Sequence, residues 1–356
     1  MTLHFGRWAI DRRPALVGLA GLSAVVGGFA LARAAQNVWA VDAHRNLAAA
    51  HSLLNGTFGS VADYLYSPLA AALTVPALAL PTDVAVVAWL ALKVVLLVVG
   101  TAIATRGLGG VHRLLLGVAA VAFLPILYDL ELGNVTVIML VALAALVWTP
   151  DRVATGIPLG LVLATAPKPQ LVPVLIWLLV AHRRALLGAL VAAALATLVG
   201  LALTGPAAYA AWFEALRAPA YLNSGDIINL ALWSLPPVVA FPCAVAAIGG
   251  FAIALRRGYW PGLLAAICVG LLLAPYTLIY GAGLLLIVAP ATVRASPRAV
   301  LALAITAPVA LVLAFPAWVG LVLVLAARLP AQAWPPQPTW VAFPSGEEAA
   351  PIDSQP

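Results

Sequence analysis

Runs of Ala, Leu and Val dominate this chain, and short polar interruptions divide them. The apolar segments fall near 14–35, 66–81, 84–104, 114–128, 135–149, 154–166, 169–181, 185–204, 230–253, 260–275, 277–293, 299–314 and 316–328. Continuous rather than alternating apolar runs predict helices, not the strands of an outer-membrane barrel. Helices also satisfy their own backbone groups in lipid. Several segments are shorter than the ~20 residues that a straight span needs. Short, Pro-broken helices of this kind bury irregular backbone inside a protein cavity.

Composition turns the pattern into a class. The mean hydropathy is +1.09 and only 8% of the 356 residues are charged, against roughly 25% in a soluble domain. The expected fold is all-α, a polytopic membrane protein with about 11–13 transmembrane or half-membrane helices. One membrane domain covers 1–328, with outer loops at 36–65 and 205–229. The Pro-rich stretch 329–356 reads as a disordered tail. The first run follows Arg12-Arg13 and exceeds the ~7–15 apolar residues of a cleaved signal peptide, so it is expected to stay as a span. Cys243 and Cys268 lie in apolar segments, which argues against a disulfide framework or a metal cluster. No metal or cofactor is expected.

The net charge of +6 reports topology rather than nucleic-acid binding, because the cations are scattered between the runs. Sixteen of the eighteen are Arg, and the abundance of Ala, Gly and Pro points to a GC-rich bacterial genome. Thirteen of them (Arg7, Arg12, Arg13, Arg106, Arg113, Arg152, Arg183, Arg184, Arg256, Arg257, Arg294, Arg298 and Arg328) fit one cytoplasmic side. Segments 66–81 and 84–104 cannot then both cross, so 66–81 is expected to enter and return. Asp42, the 129–134 stretch, Lys168, the 205–229 loop and Tyr276 then share the extracytoplasmic face.

An ionisable group at membrane depth costs about 2.5–3.5 kcal/mol on insertion scales, so each is a functional candidate. Residues from Asp42 to Leu54 suggest an interfacial helix that Asp42 caps and Asn55-Gly56 stops. Leu47, Ala50 and Leu54 share one face, and His44 and His51 another. Asp42 is either a plain helix cap or a general base for a sugar hydroxyl. Tyr64 and Tyr66, ahead of Ser67-Pro68, are belt residues or a stacking surface for a sugar. Asp129, Glu131 and Asn134 form a connecting loop or a set of hydrogen-bonding groups for sugar hydroxyls. Lys168, between Pro167 and Pro169, either snorkels to lipid headgroups or holds a lipid-linked phosphate and stabilises its departure. Trp212, Phe213, Tyr221, Asn223, Asp226 and Asn229 suit carbohydrate, and equally an ordinary interfacial loop. Lys93 sits mid-span with no visible partner.

Four ordered motifs carry a family resemblance: the Asp42 loop, Tyr-Leu-Tyr-Ser-Pro-Leu at 64–69, Leu-Glu-Leu-Gly-Asn-Val at 130–135 and Ala-Pro-Lys-Pro-Gln at 166–170. Together they resemble GT-C class membrane glycosyltransferases, most of all bacterial family 87, which uses polyprenyl-phosphate mannose or, in relatives, decaprenyl-phosphate arabinofuranose. Gly133-Asn134 stands where Gly-Gln is commoner, and Ser67-Pro68 replaces Pro-Pro. The polar, His-containing segment often found late in the family is here Ala-Pro-Tyr-Thr-Leu-Ile-Tyr at 274–280. The resemblance implies inverting transfer of a hexose from a polyprenyl-phosphate donor to a lipid or glycan acceptor, on the outer face of a bacterial plasma membrane. Asp42 would be the base, and Lys168 with Arg45 would hold the donor phosphate. His44, Tyr66, Asp129, Glu131, Asn134, Asn223, Asp226 and Tyr276 would contact substrate. A transporter or lipid flippase is the competing class, but no internal repeat is visible and most polar groups gather at one interface.

Overall fold

The computed structural model describes residues 2–5, 8–11, 40–61, 64–106, 117, 120, 123–148, 152–217, 230–296 and 314–330. The first run, the residues at 299–313 and the tail beyond 330 lie outside the described residues. A short antiparallel ribbon, Thr2–Phe5 against Trp8–Asp11, opens the chain. The hydrophobic run pattern did not predict it. Its register pairs Leu3 with Ile10 and Phe5 with Trp8.

Everything else described is helical or irregular, as expected of an all-α membrane protein. The helices are α1 (Val41–Leu54), α2 (Pro68–Thr74), α3 (Thr82–Ala104), α4 (Leu124–Leu132), α5 (Thr136–Trp148), α6 (Val153–Thr165) and α7 (Val172–Ala181). They continue with α8 (Arg183–Arg217), α9 (Pro237–Arg256), α10 (Tyr259–Leu273), α11 (Ala289–Ala295) and α12 (Phe315–Arg328), and a 3-10 stretch covers Ile279–Ile287.

Three of these, α3, α8 and α9, are long and apolar enough to cross a membrane. At 23 residues α3 is about 35 Å long. Their outward faces carry large apolar side chains, among them Leu198 at 60%, Val245 at 70% and Val238 at 80% exposure. Water would not tolerate so broad an apolar surface; lipid does. In contrast, every residue of α10 from Tyr259 to Leu272 is buried, because that helix is apolar all round and forms the core.

Residues 68–79 form only twelve residues of helix and 3-10 turn, about 18 Å, which is too short for a ~30 Å hydrocarbon core. The 205–229 stretch differs from the expected loop. Gly205, at φ +78°, breaks α8 ahead of Pro206, and the helix then resumes as far as Arg217. Gly-Pro punctuation in sequence reads as a loop, whereas here it marks a kink. Residues 218–229 lie outside the described residues.

Small residues let α6 and α8 touch along their backbones. A Cβ on Gly156 would lie 1.8 Å from the Ala185 carbonyl oxygen, and one on Gly160 would lie 2.2 Å from that of Ala189. This close approach fixes the α6 C-terminus, and with it the start of the Lys168 segment.

Candidate active site

The site begins where α1 meets the junction of α4 and α5. Helix α4 carries Asp129 and Glu131 within its last two turns and ends because Gly133 adopts φ +73°. The acids are therefore helical, and the connecting turn is only Gly133-Asn134-Val135. A Cβ on Gly133 would lie 3.0 Å from Ala43 Cβ and 3.1 Å from Ala43 N, so a bare glycine lets the turn seat against α1. That contact delivers Asn134 to Asp42. Asn134 Nδ2 donates to Asp42 Oδ2 at 2.5 Å, across 92 residues of sequence. Asp42 Oδ1 faces the Arg45 guanidinium at 3.5 Å.

Asp42 is not the helix cap that its position suggested. Ala40 holds the cap position and Asp42 lies in the first turn, where the positive end of the helix favours a carboxylate. Its side chain keeps 17% exposure and stays reachable. Of the Leu47, Ala50, Leu54 face of α1, Ala50 is buried and Leu47 packs against buried neighbours. Ala43, Asn46, Ala49, Ala50 and Ser52 are buried, and Leu54 is exposed. Small residues allow α1 to lie close on its neighbours. His44 is half-buried and His51 exposed, and Asn55 does end the helix.

Lys168 is extended, at φ −96° and ψ 123°, as the residue before a proline must be. Its ammonium sits over the Tyr66 ring at 5.0 Å and the Tyr276 ring at 5.8 Å from the centroids. Two aromatic faces hold a buried cation in place without neutralising it. Ser67 N donates to the Thr165 carbonyl at 2.9 Å, and Gln170 Nε2 donates to the Tyr276 carbonyl at 2.9 Å. These bonds pin the Tyr66, Lys168 and Tyr276 segments to one another. Trp212 Nε1, beyond the kink in α8, donates to the Leu65 carbonyl at 3.1 Å.

Tyr66 joins the two halves of the site. Its hydroxyl is within electrostatic reach of Asp42, Tyr280, Asp129 and Tyr276, while Lys168 lies over its ring. Tyr280, beside Asn134, is buried in the same cluster. Tyr64 stands edge-on to Tyr66 with centroids 5.6 Å apart, and burial pushes its phenol above the ordinary value.

Lys93 and Asp129 explain each other. The Lys93 ammonium lies 2.7 Å from Asp129 Oδ2, with both side chains fully buried. It also donates to the Asp129 backbone carbonyl. Asp129 Oδ1 accepts from Thr136 N at 2.9 Å, at the start of α5. Asp129 is thus turned inward against a lysine, not open to a sugar hydroxyl as the sequence suggested. Glu131 is half-buried on α4 and Tyr276 is half-buried beside Lys168. Asn223 and Asp226 lie outside the described residues.

Sequence reasoning missed Trp89, Lys93 and Tyr280 as parts of this cluster. Trp89 and Lys93 are four apart on one helix face, so spacing held a usable signal for them, whereas Tyr276 lies in irregular backbone and Tyr280 in a 3-10 stretch, where it held none.

The model of glycosyltransferase family 87 matches residues 64–280, well over half of the chain. Comparison with curated proteins and with solved structures gave no match. The matched stretch contains Tyr66, Asp129, Asn134, Lys168, Tyr276 and Tyr280, while α1 and Asp42 precede it and join the cluster through Asn134. An all-α membrane protein with this cluster and this match belongs to glycosyltransferase family 87 and is a transferase enzyme.

Proposed function

We propose that the chain is a multi-pass protein of a bacterial plasma membrane that moves a hexose, mannose in the first instance, from a polyprenyl-phosphate donor to a lipid or glycan acceptor. The reaction takes place on the extracytoplasmic face and inverts the anomeric carbon. One observation carries the reading: a reachable carboxylate, Asp42, lies within electrostatic reach of Tyr66, and the buried cation Lys168 sits over the Tyr66 ring.

In this reading the Asp42 carboxylate takes the proton of the acceptor hydroxyl. The acceptor oxygen forms its bond to the anomeric carbon as the bond from that carbon to the phosphate oxygen breaks. The bonding pair leaves on the polyprenyl phosphate. Lys168, with Arg45, stabilises the charge that develops there. The Asn134 donor fixes one oxygen of Asp42 and leaves its remaining lone pairs for the acceptor. His44, Tyr66, Glu131 and Tyr276 are the candidates to meet sugar hydroxyls and ring faces, with Asn223 and Asp226 as further candidates. The exposed apolar faces of the spans suit the polyprenyl chain.

Asp42→Asn tests the reading in membranes supplied with a labelled polyprenyl-phosphate sugar. Loss of a general base lowers turnover by about 10²–10⁴-fold, while expression and folding persist. Wild-type turnover in that variant would overturn the role of Asp42.

A further inference from the structure

We propose that Trp89, Lys93 and Asp129 are positioning residues for Asp42, acting through the Gly133-Asn134 turn; this deepens the transferase reading and rests on it.

Two side chains on one face of α3 grip that turn. Trp89 Nε1 donates to the Gly133 carbonyl at 2.8 Å, and Lys93, one helical turn later, holds both the backbone carbonyl and the carboxylate of Asp129. Asp129 then reaches forward to Thr136 N. The last turn of α4 and the first turn of α5 are clamped together, with Gly133-Asn134-Val135 between them.

The clamp leaves the Asn134 side chain facing Asp42 and the Tyr280 hydroxyl. The Asn134 backbone N–H donates to the Asp129 carbonyl at 3.1 Å, and its Oδ1 accepts from Val135 N at 2.7 Å. A backbone donor on Oδ1 fixes which end of the amide is oxygen, so Nδ2 must face Asp42. The result is a donor held rigidly against a carboxylate, which orients that carboxylate.

A buried ion pair is a weak way to gain stability, since well-packed apolar side chains do as well or better. Its value here is geometric. Lys93 and Asp129 have zero exposure, so neither touches substrate; they act through Asn134.

Two measurements test this together. In the first, Asp42→Cys/Asn134→Cys is cross-linked by a short bis-maleimide, with and without Lys93→Met/Asp129→Asn. The expected result is a several-fold lower yield when the clamp is neutralised. In the second, transfer kinetics are measured on the Lys93→Met/Asp129→Asn protein, which leaves no lone buried charge. With unchanged thermal stability, kcat is expected to fall by about ten- to hundredfold, as for a misplacement of up to ~1 Å, while the donor KM stays within about twofold of wild type. Trp89→Phe, which keeps the ring and removes the Gly133 bond, gives a smaller loss of the same kind. Wild-type kcat in a folded double variant, or an unchanged cross-link yield, overturns the proposal. If the wild-type protein transfers no sugar, the transferase reading fails, and the cross-link yield alone decides the geometry.

Discussion

Replacing Gly133 with alanine probes the seat of the site directly. The glycine sits at φ +73°, where an L side chain costs about 1–2 kcal/mol. The new Cβ would stand 3.0 Å from Ala43 Cβ, against a comfortable carbon separation of about 3.5–4.0 Å. Helix α1 must therefore retreat by about 0.5–1 Å. Such a shift stretches the Asn134–Asp42 bond, and a 1 Å misplacement costs about 10²-fold in rate. The expected outcome is a loss of about 1–2 kcal/mol in stability and a fall in kcat of about ten- to hundredfold. Gly133→Asn separates the causes, because asparagine tolerates the left-handed region yet carries the same Cβ. It should regain stability and still lose turnover. Adding Ala43→Gly to Gly133→Ala removes one clashing carbon and should restore part of kcat. Thermal unfolding in detergent and transfer from a labelled polyprenyl-phosphate sugar provide the readouts. Wild-type kcat in Gly133→Ala would refute the argument that contact with α1 sets the position of Asp42.

Other substitutions address the rest of the site. Lys168→Met should lower kcat/KM by about 10²–10³-fold through loss of the phosphate-facing charge, and Lys168→Arg should recover only part, since the guanidinium fork differs from a point ammonium. A Met variant with wild-type kcat/KM would remove Lys168 from the phosphate site. Gly156→Val forces a side chain against the Ala185 carbonyl, which cannot yield. The destabilisation should exceed the ~1–3 kcal/mol of ordinary overpacking, visible as loss of monodisperse protein in size-exclusion chromatography.

The parts of the site that the sequence made legible are those where one residue breaks a local rule. Asp42 and Lys168 are charges at the edge of apolar runs, and Pro167 with Pro169 announces irregular backbone. The Lys93–Asp129 pair was hidden because its halves sit 36 residues apart on different helices, and periodicity says nothing about which helix faces which. With its partner unseen, Asp129 resembled a ligand for sugar. The kink at Gly205 and the ribbon at 2–11 were missed for a related reason: punctuation and short alternation have several structural outcomes, and tertiary packing chooses among them. The overall class was plain, because a 64% hydrophobic chain has few ways to exist outside lipid.

The buried pair also bears on how the protein is made. Lys93 lies at the middle of α3, the twelfth of its 23 residues, and its counterion is synthesised 36 residues later. During insertion the ammonium must wait in the translocon or the bilayer, bearing about 2.5–3.5 kcal/mol until Asp129 emerges. Release of α3 into lipid is thereby coupled to the arrival of α4, so the two enter as a unit and not one by one.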